Sequence, residues 1–179
     1  MSGFLSSLLD LVDRTGARSA HEVGCGEGEL ARRIAKRGLD VRGTDASRDV
    51  IEEARRRAET ERIRIDFRAA RLEDLRAPQD AAELVVCCEV LEHVADPAGG
   101  LEVVAELASP WAILSVPREP LWRALNLARG KYTGSLGNTP GHRNHWRRHE
   151  FVAFCERRLD VVDVRTPPPW TMALGRARP

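Results

Sequence analysis

The glycine-rich segment His21–Gly28, of sequence HEVGCGEG, constrains the fold of this chain more than any other feature. It follows a short predicted strand at 19–23 and precedes a segment at 29–37 that has the apolar spacing of a helix. Glycines allow the backbone to turn sharply and to approach a ligand closely. A strand, a glycine turn and a helix in this order predict one unit of a parallel sheet. A tight turn that binds nothing is the alternative interpretation.

The remainder of the chain alternates between strand and helix patterns. Strands are predicted at 19–23, 40–44, 63–67, 84–88, 111–116, 160–165 and 170–175. Helices are predicted at 4–13, at 29–37, after Ser47, after Pro97, at 121–128 and at 148–158. The segment 84–88 is apolar throughout, which is typical of a central parallel strand buried on both faces. The pattern therefore predicts the α/β class, with helices on both faces of a mostly parallel sheet.

An acidic residue ends the second predicted strand. Asp45 follows Gly28 by 17 positions (45 − 28), and a carboxylate there can accept hydrogen bonds from both hydroxyls of a ribose. Taken alone, Asp45 could equally cap the next helix. A glycine turn and an acid at the carboxyl ends of two neighbouring strands together predict a nucleoside-binding site.

The spacing of the glycines separates two classes of nucleoside ligand. Dinucleotide-binding domains carry GxGxxG and place a pyrophosphate at the helix N-terminus, whereas this chain has GxGxG over Gly24–Gly28. Glu22 precedes the motif, and its carboxylate would repel a pyrophosphate but attract the ammonium of a methionine moiety. The motif therefore favours S-adenosylmethionine, and an NAD-dependent reductase is a remote alternative.

Four motifs resemble those of the class I S-adenosylmethionine-dependent methyltransferases: HEVGCGEG at 21–28, GTDAS at 43–47, RLEDL at 71–75 and CCEVLEHVADP at 87–97. The resemblance implies a three-layer Rossmann-like fold whose seven-stranded sheet has the order 3-2-1-4-5-7-6. It implies one methyltransferase domain over residues 1–179 with a lid-like insert at about 117–147. The cofactor-binding residues it implies are Glu22, Gly24, Cys25, Gly26, Gly28, Asp45, Ala46, Arg71, Leu72, Cys88 and Glu89. Arg71 departs from the family pattern, since many members carry an aspartate there to bind adenine.

The EVLEHV motif could also hold a divalent metal. It is similar to a motif of quinone-biosynthesis O-methyltransferases and small-RNA 2′-O-methyltransferases, some of which bind Mg²⁺ or Mn²⁺. The metal ligands that this resemblance implies are Glu89, Glu92, His93 and His142. In the alternative without a metal, His93 takes the proton from an acceptor hydroxyl, because an imidazole titrates near neutral pH. His142 and His145 are the other candidates for that catalytic role.

The predicted lid is basic and contains several aromatic residues. Between Arg118 and Arg148 it holds seven Lys or Arg residues against a single acidic residue, Glu119. This composition indicates either recognition of an anionic acceptor, such as a phosphate or RNA, or simply a solvated loop. The whole chain carries a net charge of only +1, so its composition as a whole favours neither nucleic acid nor a membrane surface.

The sequence predicts methyl transfer from S-adenosylmethionine to a hydroxyl, or less favourably an amine, of a small-molecule acceptor. A metal-dependent RNA 2′-O-methyltransferase is one alternative, and a non-catalytic S-adenosylmethionine-binding subunit is another. Without a signal peptide or an apolar run of membrane-spanning length, a cytoplasmic location is expected. The sequence leaves the acceptor and the oligomeric state open.

Overall fold

The protein is built on one seven-stranded sheet with the strand order β3-β2-β1-β4-β5-β7-β6. The computed structural model describes residues 2–129, 139 and 141–178. Its strands are β1 Ser19–Val23, β2 Asp40–Asp45, β3 Asp66–Ala69, β4 Ala82–Cys88, β5 Ala108–Pro117, β6 Leu159–Arg165 and β7 Trp170–Ala177. The first five strands run parallel, and β7 is antiparallel to both β5 and β6. The predicted fold class and strand order are confirmed.

Helices cover both faces of the sheet and give the fold three layers. Their bounds are α1 Ser2–Thr15, α2 Glu29–Ala35, α3 Arg48–Thr60, α4 Pro97–Leu107, α5 Leu121–Ala128 and α6 Arg148–Cys155. Side chains from α1, α2 and α3 form one apolar core against the sheet, including Leu8, Ile34 and Ile51. Side chains from α4 and α6 form a second core on the opposite face, including Leu101 and Phe151. Among the described helices, none is long and apolar enough to cross a membrane.

The carboxyl ends of β1, β2, β4 and β5 meet at one edge of the sheet, where open α/β sheets bind their ligands. Because β7 runs in the opposite direction, its first residue reaches the same edge, and Trp170 pairs with Pro117 at the end of β5. The last strand therefore brings an aromatic side chain to the edge at which the parallel strands end.

The predicted third strand was wrong in its position. The alternation of Ile63, Arg64 and Ile65 suggested a strand at 63–67, but β3 covers Asp66–Ala69. It pairs only with the carboxyl half of β2, beginning at Arg42 opposite Asp66. The alternation arises from two half-buried isoleucines that precede the strand. The boundary of the strand is set by its pairing with β2, and local sequence does not contain that information.

Part of the predicted insert at 117–147 is well defined. Helix α5 lies where the sequence placed it, and the indole N–H of Trp122 donates to the Thr139 hydroxyl at 2.9 Å. Glu119 N donates to the Trp146 carbonyl at 3.0 Å, which ties the two ends of the insert together. Residues 130–138 and 140, which include Tyr132 and Lys131, lie outside the described residues, so the lid itself stays a prediction.

Candidate active site

The glycine turn adopts a backbone that only glycine tolerates at two of its positions. Gly24 has a φ of +71°, and an added Cβ would lie 2.3 Å from a methyl of Val90. Gly28 has a φ of +72°, and its Cβ would lie 2.6 Å from the ring of Phe67. Close packing and left-handed backbone thus explain the GxGxG spacing, and the turn opens directly into helix α2.

Asp45 fastens this turn to the end of β2. One of its carboxylate oxygens accepts a hydrogen bond from Gly26 N at 3.0 Å, and the other accepts from Ser47 N at 2.9 Å. Ser47 in turn caps helix α3 by accepting from Val50 N, as its position before the helix predicted. The carboxylate is only partly buried, so it remains open toward the cavity beside it.

A cavity of about 420 Å³ lies at this edge of the sheet. Of the predicted cofactor-binding residues, six line it: Gly24, Asp45, Ala46, Arg71, Leu72 and Glu89. The sequence did not predict its other lining residues, which are Val23, Ala70, Glu73, Val90, Val94, Ala95 and Arg143. Arg143 belongs to the insert, directly after His142, and lies far along the chain from the glycine turn. His93, a predicted catalytic residue, lines the same cavity as the ribose candidate Asp45.

Glu22 lies behind the glycine turn and is almost completely buried, with 3% of its surface exposed. Burial raises the pKa of its carboxyl to about 8, an effect that a backbone hydrogen bond from Ala31 and the charge of Arg32 only partly offset. One of its oxygens, Oε2, accepts no hydrogen bond from the described residues. A buried carboxyl without a partner is costly, and it is the arrangement expected where a cationic ligand group binds.

Glu89 occupies the junction between β4 and the loop that follows, with a φ of +59°. Such a backbone conformation is strained for a residue other than glycine, and strain of this kind concentrates at functional sites. Its carboxylate accepts hydrogen bonds from the Trp170 indole at 2.7 Å and from the Ser115 hydroxyl at 3.0 Å. Burial raises the pKa of Glu89 despite both donors. The residue is thereby held in one orientation.

Three of the four predicted metal ligands come together. Glu92, His93 and His142 each offer an atom within 4.8 Å of the others. Both side-chain carboxyl oxygens of Glu92 are buried and accept no hydrogen bond from another described residue. Burial together with the charge of Glu89 raises the pKa of this carboxyl. Glu89, the fourth predicted ligand, lies outside this group, and its oxygens accept hydrogen bonds from Trp170 and Ser115; its role as a metal ligand stays a prediction.

The three histidines differ in their surroundings. His93 Nδ1 lies 3.1 Å from the Gly141 carbonyl; because a carbonyl can only accept, this nitrogen carries the proton and Nε2 is left as the basic atom. Burial, with smaller contributions from His93 and His145, lowers the pKa of His142 to about 4, so its ring is neutral at physiological pH. His145 lies 3.5 Å from the Glu119 carboxylate.

Hydrogen bonds join the two segments that form this cluster. The side-chain amide of Asn144 donates to the carbonyls of Leu91 at 3.0 Å and Val94 at 2.8 Å. The backbone N–H groups of Arg143 and Asn144 both donate to the Glu92 carbonyl. Sequence inspection missed Asn144, and its position inside the GHRNHW segment was the only local signal for it. The insert is thus attached to the loop after β4.

The remaining predicted cofactor residues lie around the cavity rather than on its surface. Cys25 and Gly26 belong to the turn, and Cys25 N donates to the Thr44 carbonyl at 2.9 Å. Cys88 is buried at the end of β4. Arg71, by contrast, lines the cavity; it pairs with Glu73 at 2.9 Å and is mostly exposed, and whether it contacts adenine stays a prediction.

Fold and site together define a class: a Rossmann-like enzyme whose glycine turn and acidic residue form a nucleoside-binding edge. A family model described as a methyltransferase domain matches residues 20–110. The ubiquinone biosynthesis O-methyltransferase of Xanthomonas oryzae pv. oryzae is 32% identical over 176 residues, covering 93% of this chain and 72% of the relative. The enzyme of the same description from Hahella chejuensis is 30% identical, covering 88% and 70%.

Two solved structures share the fold. Magnesium protoporphyrin IX methyltransferase from Synechocystis PCC 6803, with bound SAH, superposes with a TM-score of 0.76 at 19% identity, covering 99% of this chain and 84% of that one. The methyltransferase domain of the bacterial protein CtHen1 superposes with a TM-score of 0.75 at 22% identity, covering 98% and 97%. The chain belongs to the family of S-adenosylmethionine-dependent methyltransferases. This assignment excludes the NAD-dependent reductase.

Proposed function

We propose that this methyltransferase transfers the methyl group of S-adenosylmethionine to a hydroxyl of a small molecule, within one domain over residues 1–179. One observation carries the proposal: Asp45, Glu89 and His93 line the same cavity, so a nucleoside-binding acid and a basic imidazole face one ligand space. The O-methyltransferase names of the relatives at 30–32% identity support a hydroxyl acceptor. The cluster of Glu92, His93 and His142 beside the cavity argues against a non-catalytic binding subunit.

The residues of the chain fit the methyl donor at three points. Asp45 would accept hydrogen bonds from the ribose hydroxyls, in addition to those from Gly26 and Ser47. The unpartnered Glu22 carboxylate would pair with the ammonium of the methionine moiety. Leu72, which is buried beside the cavity, would pack against adenine, as the resemblance implies, with Arg71 at the solvent side.

S-adenosylmethionine supplies an activated methyl group; an O–CH₃ bond forms as the S–CH₃ bond breaks, and the sulfur keeps the bonding electron pair. The protein mainly aligns the two reactants. In addition, an acceptor hydroxyl must lose its proton, and we assign this proton to Nε2 of His93. The hydrogen bond between His93 Nδ1 and the Gly141 carbonyl orients the ring for that transfer. His142 and His145 are the alternative proton acceptors.

A calorimetric titration with S-adenosylhomocysteine tests the donor site. We expect micromolar binding whose affinity rises roughly tenfold or more between about pH 6 and about pH 7.5, because an ammonium needs Glu22 ionised while burial raises the pKa of its carboxyl to about 8. Binding in this range therefore releases a proton. In Glu22→Gln the affinity should be lower and insensitive to pH, whereas the exposed Glu52→Gln should match the wild type. Absence of binding would contradict the proposed function.

A metal-assisted form of the reaction is the second candidate, favoured by the unpartnered oxygens of Glu92 beside two imidazoles. This donor set, one carboxylate and two imidazoles from Glu92, His93 and His142, fits Mn²⁺ better than Mg²⁺, which prefers oxygen ligands. A metal would supply charge that lowers the pKa of a nearby hydroxyl. The EVLEHV resemblance would then extend to metal-binding members of the family, including the RNA 2′-O-methyltransferases.

We expect Mn²⁺ to bind to the wild type and to broaden the NMR signals of the His93 and His142 rings. Glu92→Gln should weaken the binding at least about tenfold, since it removes a charged ligand buried beside the ion. Glu106→Gln, which changes an exposed glutamate on α4, is the matched control. Equal Mn²⁺ affinity in the two variants would contradict the assignment of the metal to this cluster. Short RNA bound with salt-dependent affinity would favour the RNA alternative.

A further inference from the structure

A second cavity, of about 360 Å³, lies on the other side of Glu89. Its lining is mainly apolar and combines the first helix with the last strand: Phe4, Leu5, Glu29, Leu30, Arg33, Cys88, Glu89 and Trp170. Among the described residues, Glu89 alone lines both this cavity and the cofactor cavity. The two spaces therefore meet at one carboxylate.

We propose that this apolar cavity binds the body of the methyl acceptor, and that the acceptor is an uncharged aromatic alcohol. This inference rests on the proposed function, because it takes the cavity beyond Glu89 as the donor site. The acceptor ring occupies the apolar space, and its hydroxyl extends past Glu89 into the cavity that His93 also lines.

The aromatic character of the ligand follows from the walls. Phe4 and Trp170 contact each other edge to face, with their ring centroids 5.0 Å apart. Such rings favour a further planar ligand, which can pack against a face or an edge. The volume of about 360 Å³ is sufficient for one or two fused rings.

We infer an uncharged ligand from the charged residues at the rim of the second cavity. Arg33 and Glu29 are the charged residues there, and they pair with each other through a hydrogen bond of 2.9 Å. Glu29 also pairs with Arg32, which in turn pairs with Glu61. Each arginine beside the cavity therefore already has a carboxylate partner. The basic residues of the insert, which suggested an anionic acceptor from sequence, do not line this cavity in the described part of the chain.

Trp170 has two functions in this arrangement. Its ring forms one wall of the acceptor cavity, and its indole N–H holds the Glu89 carboxylate at 2.7 Å. Because Glu89 separates the two cavities, the same side chain that contacts the acceptor also fixes the boundary between acceptor and donor. We regard Trp170 as a positioning residue for Glu89.

The test uses 2-naphthol as an uncharged probe and 6-hydroxynaphthalene-2-sulfonate as its charged counterpart, each titrated by fluorescence with and without S-adenosylhomocysteine. We expect the wild type to bind 2-naphthol and to bind the sulfonate at least tenfold more weakly. Leu5→Trp, which fills the cavity from α1, should weaken naphthol binding at least tenfold while preserving S-adenosylhomocysteine affinity. Leu30→Trp fills it from α2 and serves if the first variant does not fold. Val162→Trp, on the exposed face of β6, is the control.

Three results would overturn the proposal. These are a wild type that binds no naphthol under either condition, a sulfonate that binds as well as the alcohol, and cavity-filling variants with unchanged naphthol affinity. Failure of S-adenosylhomocysteine to bind the wild type would instead contradict the proposed function. The two failures are distinguishable because the cofactor analogue is titrated separately.

Discussion

Replacing His93 with alanine is expected to lower methyl transfer about 100-fold or more, the usual contribution of a positioned general base. The affinity for S-adenosylhomocysteine should stay within about twofold of the wild type, since the side chain bounds the cavity on the side of the acceptor hydroxyl. The rate is measured as S-adenosylhomocysteine formed from the best acceptor in a panel of phenols and catechols. The reason is geometric: Nδ1 of His93 is bound to a carbonyl, and Nε2 is left to receive the proton.

Two controls separate proton transfer from structural damage in this variant. His149→Ala removes an exposed histidine from helix α6 and should retain full turnover. Imidazole added to the His93→Ala protein should restore part of the rate, because a small base can enter the space left by the ring. Retained turnover in His93→Ala would move the proton acceptor to His142 or His145, and the corresponding alanine variants would then distinguish these two.

The Asp45→Ala variant should bind S-adenosylhomocysteine at least tenfold more weakly, because a charge-assisted hydrogen bond is worth roughly 1.5–3 kcal/mol. The loss has two sources. The ribose would lose its acceptor, and the glycine turn would lose the hydrogen bond from Gly26 N to the carboxylate. Calorimetry gives the affinity, and thermal unfolding of the ligand-free protein shows how far the turn itself is loosened.

Two further substitutions refine the interpretation of Asp45. In Asp45→Asn, the amide oxygen can still accept from Ser47 N, but the amide nitrogen cannot accept from Gly26 N; an intermediate affinity is expected. Asp40→Ala changes an exposed aspartate at the opposite end of the same strand and should bind normally. Wild-type affinity in Asp45→Ala would contradict the ribose assignment, whatever its effect on unfolding.

Much of the fold was predictable because its signals are local. The apolar run of β4, the glycine turn and the cap at Ser47 each lie within a few residues of the element that they define. The third strand was placed wrongly because its signal is not local. Ile63 and Ile65 do alternate with polar residues, but the bounds of the strand are set by its pairing with β2. Strand boundaries depend on pairing, which one segment of sequence does not encode.

The site divides in the same way. That Gly24, Asp45 and Leu72 line one cavity was predictable, since they lie in recognisable motifs at strand ends. The hydrogen bonds that orient Glu89 were not predictable, because its partners Ser115 and Trp170 lie 26 and 81 residues away in sequence. The same distance explains why the sequence alone did not separate Glu89 from Glu92, His93 and His142. The EVLEHV motif indicated that the Glu89 carboxylate binds a polar group, and only the tertiary structure shows that Ser115 and Trp170 donate to it.

The meeting of helix α1 with strand β7 has a consequence for the design of altered enzymes. Residues 22–93 contain the residues that we propose to bind the donor, whereas Phe4, Leu5 and Trp170 belong to segments outside that stretch. Three of the eight residues that line the second cavity therefore lie outside that stretch, and the other five lie within it. A library that randomises positions 4, 5 and 170 would explore new acceptors against a constant donor site, with Glu89 as the fixed boundary that each variant must preserve.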